Sequence, residues 1–263
     1  MVKIITFLRY SIDFIKHGEF RYILSSIRYI LTGKTTRKTR YYKSSLGTFI
    51  VRKGTLDFQF ANYAYEWNVK KFVYKHLKDY DVFLDIGSHI GTYSIISALE
   101  GLRVYGFEPV KSNYEALVTN IKLNNFENLI STYPIALGKT NSSANFTLDT
   151  VNTGASHLTE YNDKAEYIAN PEFEDIKIVK FDDFVDNLNI DPIASIMIKI
   201  DVEGMEADVL LGATNFIKMH PNLLIIIETV HSGKENIQEL LSSLANFEFI
   251  EIDDLNIGAR KLN

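Results

Sequence analysis

The sequence contains no cysteine. That absence excludes disulfides, thiolate metal sites and a cysteine nucleophile, and it fits a reducing compartment. No apolar run reaches the roughly 18–20 residues that a membrane span requires. Near the start, Ile4-Ile5-Thr6-Phe7-Leu8 is broken by Arg9 and no small-residue cleavage pattern follows, so no signal peptide is expected. There is no repeat, no low-complexity tract and no metal spacing such as H-E-x-x-H. A dinucleotide fingerprint is also missing. G-x-G-x-x-G counted from Gly87 needs glycines at 89 and 92, where His89 and Thr92 stand.

What is present suits one α/β domain with an extension: 263 residues, 46% of them hydrophobic. The net charge of −5 is unevenly spread. Residues 1–45 hold ten basic side chains (Lys3, Arg9, Lys16, Arg21, Arg28, Lys34, Arg37, Lys38, Arg40, Lys43) against Asp13 and Glu19. That segment is therefore +8 and the remainder −13. An acidic body does not suit a nucleic-acid channel, so no nucleic-acid partner is expected. The basic end suits an anionic surface.

Apolar residues recur at helical spacing through Ile4, Phe7, Leu8, Ile12 and Ile15, and again through Phe20, Ile23, Leu24, Ile27, Ile30 and Leu31. They predict two helices split by Gly18. Such a basic amphipathic arm, residues 1–45, can lie on a membrane interface. It can equally pack on its own domain or on the second subunit of a homodimer. Thr35 to Lys43 reads as a linker, Thr48–Arg52 as a strand and Tyr63–Leu77 as a helix. A second domain, residues 46–263, follows the arm.

From about residue 80 strands alternate with helices. Strands are expected at Val82–Ile86, Val104–Phe107, Leu129–Tyr133, Ile176–Lys180, Ile196–Ile200, Leu223–Ile227 and Phe247–Ile252. Helices are expected at Thr92–Leu99, Ser112–Leu123 (with Ser112 and Glu115 as a capping box), after Gly204 to Leu211, and at Glu235–Leu244. Residues 139–175 read as polar and irregular apart from a strand at Asn145–Leu148, a natural place for substrate recognition. Continuous apolar strands fit a parallel sheet covered on both faces. The alternation predicts a doubly wound α/β fold.

Ligands of such folds bind beyond the carboxyl ends of the strands. Asp85, Gly87, Ser88, Gly91, Glu108, Ala136, Asp201, Glu203, Glu228 and His231 all fall at those ends. Gly87 permits a sharp turn and close approach to a ligand. Gly91 opens a helix whose N–H groups face the pocket. Glu108 is placed to accept bonds from ribose hydroxyls. Without the pyrophosphate glycines, a ligand with ribose and adenine but no phosphate fits best, and S-adenosylmethionine is such a ligand.

Lys199, Asp201 and Glu203 alternate along an extended segment and so share a side. They read either as a structural ion pair with a helix cap from Glu203, or as a carboxylate acting on a substrate hydroxyl with Lys199 tuning its charge. Glu228 and His231 close the next strand. Together Asp201, Glu203, Glu228 and His231 offer oxygen and nitrogen ligands to a divalent cation; with no recognised spacing, no metal is expected. The turn Asn152-Thr153-Gly154-Ala155-Ser156-His157 reads as a solvated loop or as a lid that brings Ser156 or His157 to an acceptor.

Val82-to-Gly91, Phe107-Glu108-Pro109, Ala136-Leu137-Gly138 and Lys199-Ile200-Asp201-Val202-Glu203-Gly204 together resemble the FkbM-type family of S-adenosylmethionine-dependent methyltransferases. Leu210-x-Gly212-Ala213 and Ile227-Glu228 match the same pattern. More loosely, so do Gly47-to-Asp57 and Asn152-to-Ser156. The resemblance covers roughly residues 47–231. It implies a class I methyltransferase fold, Rossmann-like and mostly parallel, and O-methylation of a hydroxyl on a glycan, glycolipid or natural product. Carried over, Asp85, Gly87 and Gly91 shape the methionine end of the cofactor site, Glu108 holds the ribose, Ala136 sits near the adenine, and Asp201 and Glu203 face the reaction centre. Two departures stand out. Ser88-His89 replaces the more usual Ala-Asn, and Glu228-Thr229-Val230-His231 is one residue longer than the usual Glu-x-His.

The expected activity is methyl transfer from S-adenosylmethionine to a sugar hydroxyl, the protein chiefly positioning the reactants. Asp201 is the first choice of base, with Glu203, Glu228 and His231 as alternates. The expected location is cytoplasmic, peripheral to the inner membrane face. Two rivals are a nicotinamide-dependent oxidoreductase and a membrane-bound scaffold without enzymatic activity.

Overall fold

A computed structural model of the chain describes residues 2–160 and 171–262. In chain order the elements are α1 (Val2–Lys16), α2 (Phe20–Thr32), β1 (Arg40–Ser44), β2 (Gly47–Val51), α3 (Asp57–Phe60), α4 (Trp67–His76), β3 (Val82–Ile86), α5 (Thr92–Leu99), β4 (Arg103–Phe107), α6 (Lys111–Leu123) and β5 (Ile130–Tyr133). Then come β6 (Ala136–Gly138), β7 (Ser142–Leu148), β8 (His157–Leu158), β9 (Glu172–Lys180), β10 (Ile196–Ile200), α7 (Glu206–Gly212), α8 (Thr214–Met219), β11 (Leu223–Glu228), α9 (Lys234–Leu244), β12 (Phe247–Glu251) and β13 (Asn256–Lys261).

Seven strands form the main sheet in the order β12-β13-β11-β10-β3-β4-β5. All run parallel except β13, which is antiparallel to both β11 and β12. This is the doubly wound, class I methyltransferase topology that the resemblance implies. Every residue of β3 and β10 is buried, as a strand covered on both faces requires. The strand order reverses between β3 and β10, and that switch point opens a crevice at their carboxyl ends.

Four sequence expectations need correction. The linker read at residues 35–43 ends early, because Arg40–Ser44 pairs with Gly47–Val51 as a hairpin. That hairpin spans residue 45, where the arm was read as meeting the domain. Its Tyr42 is buried against Phe14 and Tyr22, so the helices share an aromatic core with the body. The stretch read as irregular, 139–175, supplies β7, β8 and the first four residues of β9, which join β6 in a second, four-stranded sheet; residues 161–170 of it lie outside the described residues. Alternating polar side chains suit a sheet with one wet face.

The capping box at Ser112 does not form. Helix α6 starts one residue earlier, and the N–H groups at its start are taken by carboxylates on either side of it: Val110 N–H by Glu108, two residues back, at 2.9 Å and Lys111 N–H by the remote Glu174 at 3.1 Å. Finally, α4 begins at Trp67, because Glu66 sits in the left-handed region at φ 48.

Candidate active site

At the switch point the carboxyl ends of β3, β4, β10 and β11 surround a cleft open to solvent. Gly87 turns the chain there at φ 83, and a Cβ on it would lie 1.9 Å from the Asp201 carbonyl oxygen. The end of β3 and the end of β10 are thus in backbone contact, which only glycine allows.

Of the expected cofactor residues, Gly87, Ser88, Glu108 and Ala136 line the cleft. Glu108 is buried and accepts the His89 N–H at 2.8 Å as well as that of Val110. Burial pushes its carboxyl up to about 7, against the pull of those two N–H groups. Each of its oxygens keeps acceptor capacity for a ligand hydroxyl. Ser88 closes the turn by donating to the Asp85 carbonyl at 2.7 Å.

Asp85 and Gly91 lie behind the wall. Asp85 is buried and accepts the Ser94 hydroxyl at 2.5 Å, which fixes α5 on β3. Burial holds its carboxyl above the usual range, opposed mainly by Lys199. A Cβ at Gly91 would meet the Leu117 side chain at 2.4 Å, so Gly91 serves the packing of α6.

Lys199, Asp201, Glu203 and Glu228 come together on the cleft wall. The Lys199 ammonium donates to Asp201 at 2.7 Å and sits 4.6 Å over the Tyr93 ring. Burial opposes its charge, but Asp201 and Glu66 hold it above the ordinary lysine range. The ion-pair reading of Lys199 and Asp201 is therefore correct as geometry. Helix α7 has Met205 at its N-cap, and the Gly204 N–H goes to Glu206 at 2.9 Å. Carboxylate oxygens of Asp201, Glu203 and Glu228 lie within 4.8 Å of one another. Crowding of this kind resists full ionisation. Glu228 is pushed up to about 8 by burial, then by Asp201 and Glu203. His231 stands behind Glu203, with Nε2 3.1 Å from its carboxylate.

The loop read as a possible lid forms one side of the cleft through Asn152, Thr153, Gly154 and Ser156. His157 turns inward and is buried, its Nδ1 3.0 Å from the Ala155 carbonyl. Thr153 anchors the loop: its hydroxyl lies 2.8 Å from His89 Nε2 and accepts from Arg52 at 3.1 Å. Arg52 is itself clamped on the buried Asp57 through two bonds of 2.7 and 2.8 Å. His89 takes φ 52, a region that histidine tolerates better than most residues. Burial pulls its pKa down to about 4, so it works as a neutral ring.

Among the lining residues not anticipated are three polar ones that contact one another or their neighbours, Glu66, Lys70 and Tyr93. Tyr93 donates to Glu66 at 2.7 Å, and the buried Lys70 donates to the Tyr65 carbonyl. Burial pulls Lys70 down to about 8. A signal existed. Lys70 occupies a position of the apolar stripe that runs through Val73 and Leu77, where a lysine is out of place.

Residues 85–255 match the family model described as Methyltransferase FkbM domain. The hexuronic acid methyltransferase AglP of Haloferax volcanii is 25% identical over 179 residues, 67% of this chain and 68% of that one. Among solved structures, the FkbM methyltransferase from Methylobacillus flagellatus KT is 19% identical with a TM-score of 0.48, over 70% of this chain and 44% of that one. The tRNA (uracil-54, C5)-methyltransferase of Pyrococcus abyssi, solved with S-adenosyl-L-homocysteine, is 11% identical with a TM-score of 0.46, over 86% of this chain and 44% of that one. The chain spans less than half the length of either solved protein. The family match, which runs through the β3 turn, Glu108 and the Lys199-to-Gly204 segment, sets the nicotinamide reading aside. Because it takes in well over half of the residues, this chain belongs to the FkbM family of methyltransferases.

Proposed function

We propose that this chain methylates a hydroxyl group of a sugar, carried on a glycan or glycolipid, with S-adenosylmethionine as its cofactor. One observation carries the reading. A buried carboxylate able to accept from ribose, Glu108, and a cluster of carboxylates able to act on a hydroxyl, Asp201, Glu203 and Glu228, line the same cleft. The printed name of the Haloferax volcanii relative, a hexuronic acid methyltransferase, supports a sugar acceptor.

The residues present suit the cofactor. Gly87 and Ser88 make a bare backbone turn, and Glu108 offers acceptor oxygens beside it. Ile135, Ala136, Leu137 and Phe146 supply an apolar wall fit for adenine. When bound, S-adenosylmethionine supplies an electrophilic methyl group on a sulfonium.

The protein's part is positioning and proton removal. Lys199 holds Asp201 in place by donating to its carboxylate, which suits Asp201 to orient the acceptor hydroxyl. Glu228, whose proton affinity is raised to about 8, is matched to removing a hydroxyl proton near neutral pH. That raised proton affinity supports Glu228, ahead of Asp201, as the proposed base.

Isothermal titration with S-adenosylhomocysteine tests the cofactor half. Wild type is expected to bind, and Glu108→Ala to bind about 10–100-fold more weakly, the worth of a bond to a charged acceptor. A melting curve checks that the variant still folds, since two N–H groups lose their partner. Equal affinities in a folded variant would remove Glu108 from the contact. The acceptor half is tested by S-adenosylhomocysteine release in the presence of neutral, amino and uronic sugars. Cofactor binding with no turnover on any of them would place the acceptor outside carbohydrates.

A further inference from the structure

The outer face of the α1–α2 hairpin is apolar, and no described residue covers it. Its inner face is accounted for. Phe14 of α1 and Tyr22 of α2 are buried and both meet the ring of Tyr42. The opposite sides of both helices therefore point away from the domain.

On α1 those outward residues are Ile5, Leu8, Ile12 and Ile15, each about half exposed. At about 100° per residue they fall within an arc of about 80°. Arg9 and Lys16, both exposed, project at one margin of that arc. Helix α2 repeats the arrangement. Phe20, Leu24, Ile27 and Leu31 fall within an arc of about 60°, and Leu31 is 76% exposed. Arg21 and Arg28 stand at its margin. Arg21 is braced on Glu19 and the Tyr41 carbonyl, and Arg28 on the Thr35 carbonyl.

We propose that this face docks on the surface of an anionic lipid bilayer, with both helices lying in the interface. An apolar stripe edged by basic side chains is what an interfacial helix requires. The stripe reaches the acyl boundary while arginine and lysine meet anionic headgroups. Among the described residues no helix is long and apolar enough to cross a membrane, so the hairpin lies on the surface and does not span it. Charge selects the occupant. Residues 1–45 carry a net +8. A second copy pressed through the same face would set +8 against +8, a repulsion that an anionic surface turns into attraction. The proposal does not depend on the acceptor of the methyl group.

Flotation of the full chain with phosphatidylcholine vesicles, with and without phosphatidylglycerol, tests it. Wild type is expected to float with the phosphatidylglycerol vesicles, to stay behind with phosphatidylcholine alone, and to be partly released by salt. Leu24→Gln/Leu31→Gln removes apolar area from exposed positions. It should keep the melting temperature and S-adenosylhomocysteine affinity while losing at least about tenfold in vesicle binding. Arg9→Glu/Lys16→Glu should lose a similar factor, confined to the anionic vesicles. Failure of folded wild type to float with anionic vesicles overturns the proposal, as does flotation that both variants retain. A dimer in sedimentation that Leu24→Gln/Leu31→Gln dissociates, with no vesicle binding, also overturns it and assigns the stripe to a second copy.

Discussion

Replacing Glu228 by glutamine is expected to lower kcat by about 10²–10⁴, the usual worth of a positioned general base. S-adenosylhomocysteine affinity should change by no more than about threefold, since the removed charge serves the acceptor. The pH profile carries the sign. Glu228 holds its proton up to about 8, so the fraction able to accept one grows tenfold per pH unit below that value and levels off above it. Wild-type turnover should rise accordingly and reach its plateau above about pH 8, and the variant should lose the rise. Stability gives an independent reading. A carboxyl whose folded pKa is raised weakens the fold as pH climbs from its unfolded value to its folded one. Glutamine has no proton to lose, so the variant should melt higher than wild type above about pH 8. Unchanged turnover and an unchanged profile would return the role of base to Asp201.

Gly87→Ala is expected to damage fold and cofactor site together. A left-handed alanine costs about 1–2 kcal/mol. The added methyl would also sit 1.9 Å from the Asp201 carbonyl oxygen, and relieving such overpacking costs a further 1–3 kcal/mol or so. The combined effect is a fall in melting temperature on the order of 10 °C. Gly101→Ala is the control: its φ of 91 is similar, but nothing lies within 4 Å of its Cβ. That variant should show the conformational cost alone and bind S-adenosylhomocysteine normally. If the two variants melt within about 2 °C of each other, the contact between the β3 turn and β10 does not constrain the site as argued.

The central half of the fold was legible because its signals are local. Strands β3, β10 and β11 are continuous apolar runs, and each ends in the residues that line the cleft. Glu108 was legible for the same reason, one strand beyond the glycine turn. What escaped depends on distant partners. The first N–H of helix α6 goes to Glu174, and no spacing rule near Ser112 reports a carboxylate 63 residues away. Strand β13 carries Gly258 and a charged end, a weak pattern that becomes a strand because β11 and β12 flank it. The second sheet was hidden by side chains as polar as those of a loop. Glu66 and Lys70 lie outside every motif and reach the cleft through their contacts with Tyr93 of α5. Lys199 and Asp201 were legible as neighbours, but which of two carboxylates is the better base was not. That depends on how Glu228, Asp201 and Glu203 crowd together in space.

The aromatic cluster of Phe14, Tyr22, Tyr42 and Phe58 has a practical meaning for anyone dividing this protein into parts. A cut at residue 45 would leave Phe58 without the Tyr22 ring stacked on it and β2 without its pairing partner. Strand β2 in turn donates from Thr48 and Ile50 to Asn124 and Asn120 of α6, and Asn120 donates to the Ile90 carbonyl in the turn beside the cofactor wall. The outer helices are thus a keel, joined to the hull by a short run of bonds that ends at the cleft. Whatever surface the keel rests on, those bonds hold the cleft at one attitude to it.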